Sequence, residues 1–432
     1  MGGVVARLPA QGARRGGPPV TRVGLVVNPV AGLGGRVGLG GTDGPERARL
    51  ALSLGSRPLA GVRAAAALAE LALRTGELAG AGLARVAPGV RVGGTVDAPP
   101  GSPRPLVVTA AGPLGADSAA VAGLPARVVY AAGGGRDASG VETSGVETSA
   151  ADTAAAVRAV VAEGVDLLLF AGGDGTARDV LAALGDAPCP VLGVPTGVKM
   201  HSAVFAVSPR AAGEVAAAWL NRKGAVRLRD AEVMDRDEDA LAEGRVTSRL
   251  FGWLPVPDLP VRVQQRKTGS TATAPEAVGG IAAEVAERVG DGLLALGPGS
   301  TTRAVAAALG ADVSLTGVDV LRLRPGAAPD VVARDATEDT LLTLGPAWIA
   351  LSPIGGQGFL LGRGNQQVSP RVLRASGGRA HLLVVCTEQK LAALGGRPLL
   401  LDTGDDALDA ELAGHVRVIT GRRRTSLYRL AM

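Results

Sequence analysis

Short apolar runs alternate with longer segments of helical periodicity through the first half of the chain. Runs of this kind are typical of strands that are buried on both faces of a sheet. Between them, alanine and leucine recur at helical spacing over Pro58–Thr75, after Thr153 (the expected N-cap) and over Pro209–Leu220. The predicted strands are RVGLVVN (22–28), PLVVTAA (105–111), ARVVYAA (126–132), VDLLLFA (165–171) and CPVLGVP (189–195). This alternation predicts an α/β fold with a doubly wound parallel sheet.

The second half of the chain mixes strand-like and helix-like patterns. A long strand, AVRLRDAEVMD, is followed by helical APEAVGGIAAEVAERVG and by apolar runs such as AHLLVVCT and HVRVITG. We therefore expect an N-terminal α/β domain over 22–230 and a C-terminal mixed, β-rich domain over 231–432, with the change near Asp230. Residues 1–21 are expected to form a disordered tail, and 85–145 resembles an insertion.

Glycine-rich turns follow predicted strands at four places, 32–44, 172–176, 297–302 and 355–364. In open α/β sheets, ligands bind beyond the carboxyl ends of the strands. Glycine lets backbone N–H groups approach a phosphate closely, and the N-terminus of a following helix attracts negative charge. A single glycine turn would indicate only a tight turn. Four of them, in both halves, predict a phosphate-binding site in a cleft between the two domains.

Composition and charge exclude several classes of function. The 432 residues are enough for two domains, and the net charge of +5 is spread along the chain. Aromatic residues make up only 2%, so no basic and aromatic stripe for nucleic acid is present. No apolar run reaches the ~18 residues of a membrane span, and the N-terminus lacks the apolar core of a signal peptide. We expect neither a nucleic-acid partner nor a membrane.

The cysteines and histidines also bear on the class of protein. Cys189 and Cys386 lie beside apolar runs, which predicts buried free thiols and a cytoplasmic protein. The three histidines, His201, His381 and His415, have no zinc-site spacing.

Lysine is rare in this chain, with four residues against forty-one arginines. A lysine in a motif is therefore a candidate for a specific chemical role. Lys199, in the segment VPTGVKMHS, is expected to place a charge near a transferred phosphate, with an ordinary surface lysine as the alternative.

The most specific candidate for a catalytic residue is Asp174 in FAGGDGTARDV. Glycines on both sides are expected to leave its carboxylate unshielded and able to touch a ligand. Phosphoryl transfer needs positioning, charge neutralisation and a base near the attacking hydroxyl, and Asp174 suits that role. The alternative is a structural aspartate that caps the following helix. The chain has no P-loop and no nucleophile elbow, and GGGRDA is a weak match to the dinucleotide fingerprint.

Several motifs together resemble a known family. FAGGDGTARDV is similar to the signature of NAD kinases and of diacylglycerol and sphingosine kinases. With VNPVAGLGGRVGLGGTDG, VLGVPTGVKMHSAVFAVSP, LGPGSTTRAV and PIGGQGFLLGRGNQQVSP, the pattern resembles the acetoin-catabolism X branch of the ATP-NAD kinases. The resemblance implies ATP, with polyphosphate as an alternative donor, and Mg²⁺. It also implies a nucleotide-binding domain, a second domain and an active site between them.

The motifs and the resemblance give a candidate site. Asp174 and Lys199 are the expected catalytic residues; the metal ligands stay unassigned. Phosphate and nucleotide binding is expected from Asn28, Gly32, Gly34, Gly35, Gly172, Gly173, Gly175, Thr176, Gly299, Ser300, Thr301 and Thr302. Substrate binding is expected from Thr196, Gly197, His201, Ser202, Gly355, Gly356, Gln357, Arg363, Asn365 and Gln366.

The resemblance implies a kinase that phosphorylates the 2′-hydroxyl of NAD. Lys199-Met200 stand where lipid kinases carry Asn-Asp, so a kinase of another polyol or of a lipid-like alcohol is the alternative. A non-catalytic nucleotide-binding regulator is the alternative from a different class. The sequence leaves the oligomeric state open, a homo-oligomer included.

Overall fold

A computed structural model of the chain describes residues 21–39, 45–75, 105–133, 148–197, 200–221, 226–236, 248–259, 263 and 275–432. The predicted disordered tail (1–21, except its last residue) and Lys199 lie outside the described residues.

The N-terminal half is built on a five-stranded sheet that is parallel throughout. Its strands are β1 (Arg22–Val27), β2 (Leu106–Ala110), β3 (Ala126–Tyr130), β4 (Leu167–Gly172) and β5 (Val191–Pro195), in the order β3-β2-β1-β4-β5. Its helices are α1 (Pro45–Ser53), α2 (Ala60–Arg74), α3 (Ala116–Val121), α4 (Ala150–Ala162), α5 (Asp174–Leu184) and α6 (Pro209–Leu220). The predicted parallel α/β domain is confirmed. Within the segment 85–145, which resembles an insertion, residues 105–133 contribute β2 and β3 to this sheet.

Local chemistry sets where two of these helices begin. Helix α6 has Pro209 in its first turn, where a missing N–H costs little, and Ser208 Oγ accepts from Ala211 N at 3.1 Å. Helix α4 begins earlier than the sequence predicts. Ser149 and Asp152 form a reciprocal capping box there. The expected cap, Thr153, is instead buried inside the helix.

A two-stranded antiparallel ribbon follows the five-stranded sheet, made of β6 (Arg227–Arg236) and β7 (Ser248–Asp258). Its buried residues Ala231, Val233, Leu254 and Val256 belong to the apolar core of the first sheet. The domain change predicted near Asp230 therefore falls inside a strand that packs on the N-terminal half.

The C-terminal half is a mixed nine-stranded sheet with helices. Its elements are α7 (Pro275–Val289), β8 (Gly292–Leu296), α8 (Ser300–Leu309), β9 (Asp319–Leu323), β10 (Asp330–Ala333), α9 (Glu338–Leu344), β11 (Trp348–Leu351), β12 (Phe359–Leu361), α10 (Pro370–Ala375), β13 (Leu382–Val385), α11 (Glu388–Ala392), β14 (Leu399–Leu401), α12 (Asp406–Leu412), β15 (Gly414–Gly421) and β16 (Arg424–Ala431). The strand order is β10-β9-β8-β11-β13-β15-β16-β14-β12, with parallel and antiparallel pairs. This is the predicted mixed, β-rich second domain.

The two halves share apolar and charged contacts. Phe359 of β12 and Leu400 of β14 belong to the apolar core of the N-terminal sheet. Asp402, just after β14, lies between two guanidinium groups, at 2.5 Å from Arg63 on α2 and at 2.9 Å from Arg363. We call these three residues the arginine–aspartate bridge. It fixes the two sheets against each other.

Two sequence predictions about composition can be compared with the structure. Cys189 and Cys386 are buried free thiols, as predicted, and burial raises the pKa of each to about 11. Within the described part of the chain, no helix has both the length and the apolar character needed to cross a membrane.

Candidate active site

The carboxyl ends of β4 and β5 meet in a tight backbone crossing. Thr196 N and Gly197 N both donate to the carbonyl oxygen of Gly172, at 3.0 and 3.3 Å. A Cβ added to Gly173 would lie 3.3 Å from Gly197 Cα, and one added to Gly172 would lie 2.3 Å from Thr176 Cβ. A Cβ at 172 would therefore collide with the Thr176 side chain, and a Cβ at 173 would crowd the Gly197 backbone, so glycine suits both positions.

The glycine turn after β1 packs onto this crossing. Gly32 has φ +83°, and a Cβ there would lie 2.0 Å from the carbonyl oxygen of Thr196. Asn28, the residue after β1, donates from Nδ2 to Thr176 Oγ1 at 3.0 Å. The structure thus brings together segments that the sequence predicted separately, 28–35, 172–176 and the described residues of 196–202 (196–197 and 200–202).

Asp174 is the first residue of α5 and is only 6% exposed. Its Oδ2 accepts from the backbone N of His201 at 2.7 Å and lies 3.1 Å from His201 Nδ1. Its Oδ1 accepts from Ser202 N at 3.0 Å and from Ser202 Oγ at 2.6 Å. The expectation of an unshielded carboxylate is wrong, because the His201–Ser202 segment folds over it. Asp174 also does not cap α5, whose N-cap is Gly173.

Residues of the C-terminal half hold the same segment from the other side. Gln357 Nε2 donates to the carbonyl oxygen of Met200 at 2.9 Å, and Arg363 Nη1 lies 2.8 Å from Met200 Sδ. Arg363 also lies over the Phe359 ring, with 4.7 Å from Cζ to the ring centroid. Burial lowers the pKa of Arg363 to about 10, against the opposing effect of the Asp402 carboxylate.

These contacts change the expected roles of several substrate-binding candidates. Arg363 and Asn365 were predicted to bind the acceptor or a phosphate. In the structure Arg363 is part of the arginine–aspartate bridge, and Asn365 stabilises its own turn by bonding to Gly362 N and to the Leu360 carbonyl oxygen. Gln366 packs against Gly35 of the first glycine turn. Their observed contacts orient backbone around the site.

The third glycine turn, 297–302, leads into α8. Thr302 Oγ1 donates to the Gly299 carbonyl oxygen at 3.0 Å. Lys390 Nζ lies 3.3 Å from Thr301 Oγ1 and 3.0 Å from Ser352 Oγ. These contacts join the turn to residues of its own half, at the carboxyl ends of β8 and β11.

Sequence reasoning missed Arg63, Asp402 and Lys390. The rarity of lysine was a usable signal for Lys390, which lies after the strand-like run AHLLVVCT. Arg63 and Asp402 carried no signal, because arginine is the common basic residue in this chain and the two are far apart in sequence.

The site has features that suit a phosphorylated ligand. The first turn of α5 has backbone N–H groups without intrahelical partners, which favour an anion. Beside it, Thr196 Oγ1 is buried and has no hydrogen-bond partner among the described residues. The described residues form no cluster of three or more histidine, cysteine, aspartate or glutamate side chains able to hold a metal ion. Mg²⁺ bound mainly through phosphate oxygens and water would need no such cluster.

A cavity of about 770 Å³ lies elsewhere among the described residues, between α2, α6 and the last strand. It shares Arg63 and Asp402 with the arginine–aspartate bridge, and Asp174 and His201 do not line it. We place the candidate site at the glycine turns, because the chemistry-bearing groups converge there.

Comparisons with known proteins agree with this placement. Residues 125–224 match the model of the ATP-NAD kinase N-terminal domain, and residues 290–430 match that of the ATP-NAD kinase C-terminal domain. Together the two matches cover more than half of the chain, and the first includes the segment 172–202. Searches of curated proteins and of solved structures returned no significant match.

Proposed function

We propose that this chain, which belongs to the ATP-NAD kinase family, transfers the γ-phosphate of ATP to the 2′-hydroxyl of NAD(H) to give NADP(H). Membership makes it a phosphotransferase with an alcohol acceptor, and ATP is the donor that the family implies. The choice of NAD and of its 2′-hydroxyl is the finer part of the proposal. The two matched models describe the family as a whole, so the acetoin-catabolism X branch stays a prediction.

The observation that carries the proposal is the convergence of Gly32, Gly173 and Gly197 around the N-terminus of α5, beside Asp174. Three backbone segments meet so closely there that a Cβ at any of these glycines would crowd backbone atoms of another. We assign phosphate binding to the N–H groups of this cradle and to Thr196 Oγ1. Mg²⁺, when bound with ATP, would neutralise charge on the phosphates.

The chain's own residues then have three tasks. The glycine cradle holds the donor phosphates. The His201–Asp174 pair receives the proton from the acceptor hydroxyl. The arginine–aspartate bridge holds the two halves against each other. Lys199 remains a predicted source of positive charge near the transferred phosphate. Lys199→Met is expected to lower kcat/KM at least about tenfold with little change in Tm, measured by steady-state kinetics and thermal unfolding.

The direct test is an ATP-consumption assay over a panel of acceptors with mass analysis of the product. The panel contains NAD, NADH, simple polyols and diacylglycerol, each with ATP and with polyphosphate. We expect a mass increase of one phosphate on NAD or NADH, and cleavage of the product's pyrophosphate should leave the added phosphate on the adenosine half. Phosphorylation of a polyol or of diacylglycerol instead would replace NAD as the acceptor, and ATP binding without any transfer would indicate a regulator.

A further inference from the structure

We propose that His201 is the base that removes the proton from the acceptor hydroxyl, and that Asp174 positions His201 and does not itself receive the proton. This inference rests on the proposed phosphotransfer. It concerns which group of the site carries the proton, and it holds for any alcohol acceptor.

The hydrogen bonds of Asp174 are the first argument. An ionised carboxylate has about four lone-pair sites. In Asp174 all four have close protein partners, two backbone N–H groups, the Ser202 hydroxyl and His201 Nδ1, at 2.6–3.1 Å. The carboxylate is also only 6% exposed. A hydroxyl substrate would have to displace one of these donors to reach it.

His201 has the opposite arrangement. Its Nδ1 is at hydrogen-bond distance from Asp174 Oδ2, and an ionised carboxylate there requires a proton on Nδ1. That tautomer leaves a lone pair on Nε2. No described residue forms a hydrogen bond with Nε2, and about 10% of the side chain is accessible. A carboxylate that orients an imidazole and stabilises its protonated form is a known device for a general base.

The surroundings hold the imidazole in place. His201 is fixed through its own backbone N–H to Asp174, and its neighbours are held by Gln357 and Arg363 on the Met200 side. On the other side, Ser202 Oγ is also within 2.9 Å of the backbone of Met234 on β6. The charged groups on the packed elements include Asp174 and Asp179 on α5, the Asp235–Arg178 pair between β6 and α5, and Arg363 and Asp402 of the bridge. Strand β6 also carries Arg229, which donates to the Ala203 carbonyl oxygen, and Glu232.

The step balances without any further reactant. The O–H bond of the acceptor breaks, its proton goes to His201 Nε2, and the oxygen forms a bond to the γ-phosphorus. The bond between that phosphorus and the β,γ-bridging oxygen breaks, and ADP leaves with the electron pair. The imidazolium, stabilised by Asp174, then releases the proton to water.

Two substitutions of His201 separate a base from a structural residue. Asparagine keeps a donor near the position of Nδ1, whereas glutamine places its amide near Nε2. Neither amide can take the proton, so H201N and H201Q should both lower kcat by about 100-fold or more, with unchanged Tm. H415Q, at an exposed histidine of β15, is the matched control and should behave like the wild type. Near-normal kcat in H201N would show that the histidine only supports Asp174 and would overturn the proposal.

A measurement without substrate tests the tautomer. The chain has three histidines, so long-range ¹⁵N–¹H NMR, assigned with H415Q and H381Q, resolves each ring. We expect His201 with the proton on Nδ1 in the wild type, and a shift toward the Nε2-protonated form in D174N. A wild-type His201 with the proton on Nε2 would overturn the inference even if the enzyme is active. Failure of the proposed function would instead appear in the wild-type product assay.

Discussion

Asp174 is buried and fully hydrogen-bonded, so its substitution tests charge without removing packing. Asp174→Asn keeps the size of the side chain but loses the charge that would stabilise an imidazolium. Its NH2 group also faces a backbone N–H, of His201 or of Ser202, whichever oxygen it replaces. We expect kcat to fall by roughly 100-fold or more, as for loss of general-base catalysis, while ATP affinity changes little. Steady-state kinetics and ATP titration measure the two quantities. A D174N enzyme with near-normal kcat would remove the Asp174–His201 pair from the mechanism.

At the level of single residues, the sequence predicted which residues lie at the site but not which contacts they make. The GGDGT motif located Asp174 and Thr176, because glycine spacing after an apolar run is a local signal. Its shielding was not predictable, since His201 and Ser202 lie more than twenty-five residues away and their backbone N–H groups carry no sequence signature. Arg363 was identified from its glycine-rich turn, but its partner Asp402 depends on the packing of two sheets.

The turn after β1 can be tested with a glycine that has the same backbone conformation elsewhere. Gly32 and Gly55 both have φ +83°, so alanine is strained by a similar amount, about 1 kcal/mol, at either position. A Cβ at Gly32 would collide with the Thr196 carbonyl oxygen, whereas at Gly55 nothing lies within 4 Å. We expect Gly32→Ala to weaken ATP binding at least tenfold, and Gly55→Ala to bind ATP normally.

Isothermal titration with ATP and chemical unfolding of both variants make this comparison. Equal ATP affinities in the two alanine variants would mean that the 28–35 turn is not part of the phosphate cradle.

Among the elements, the strands of the first sheet were predicted well, because buried parallel strands give uninterrupted apolar runs. The start of α4 was misplaced, since two possible caps, Ser149 and Thr153, lie four residues apart and the capping box decides between them. The runs at 105–111 and 126–132 were predicted as strands, although the wider segment 85–145 resembled an insertion. Their place in the sheet could not be predicted locally, because it depends on the pairing of β2 with β1 and of β3 with β2.

At the scale of the whole molecule, the arginine–aspartate bridge supplies a charged contact between the halves, through Arg63 and Asp402. Asp402→Asn would leave Arg363, whose side chain is 2% exposed, without its counter-charge. Loss of one partner from a buried ion pair costs about 3–5 kcal/mol of unfolding free energy. The control is Asp330→Asn, because Asp330 pairs with Arg324 at 2.5 Å on the surface, and there the cost should be below about 1 kcal/mol. Urea unfolding gives both values, and similar small losses would show that the bridge does not stabilise the fold.

Ionisation of Asp409 should make the free energy of unfolding depend on pH. Burial, with Asp402 and Asp406 nearby, raises the pKa of this carboxyl from 3.8 to about 7, despite hydrogen bonds from Thr403. The unfolded chain therefore releases this proton at lower pH than the folded chain, so Asp409 makes unfolding progressively easier as pH rises from about 4 to 7. Asp409→Asn should gain stability relative to the wild type between pH 5 and pH 8. Chemical unfolding at both pH values measures this, and a pH-independent difference would contradict it.

The position of Phe359 and Leu400 in the core of the first sheet has a consequence for the order in which this protein is made. The five-stranded sheet has all its strands once Pro195 has been added. Part of its apolar cover is supplied only after the ribbon and much of the second sheet have been translated. The nascent N-terminal half therefore exposes an apolar patch until Phe359 and Leu400 have been synthesised. A fragment that ends at Leu259 would expose that patch to solvent. The two halves have separate sheets, but the core of the first is completed only when the second has been synthesised.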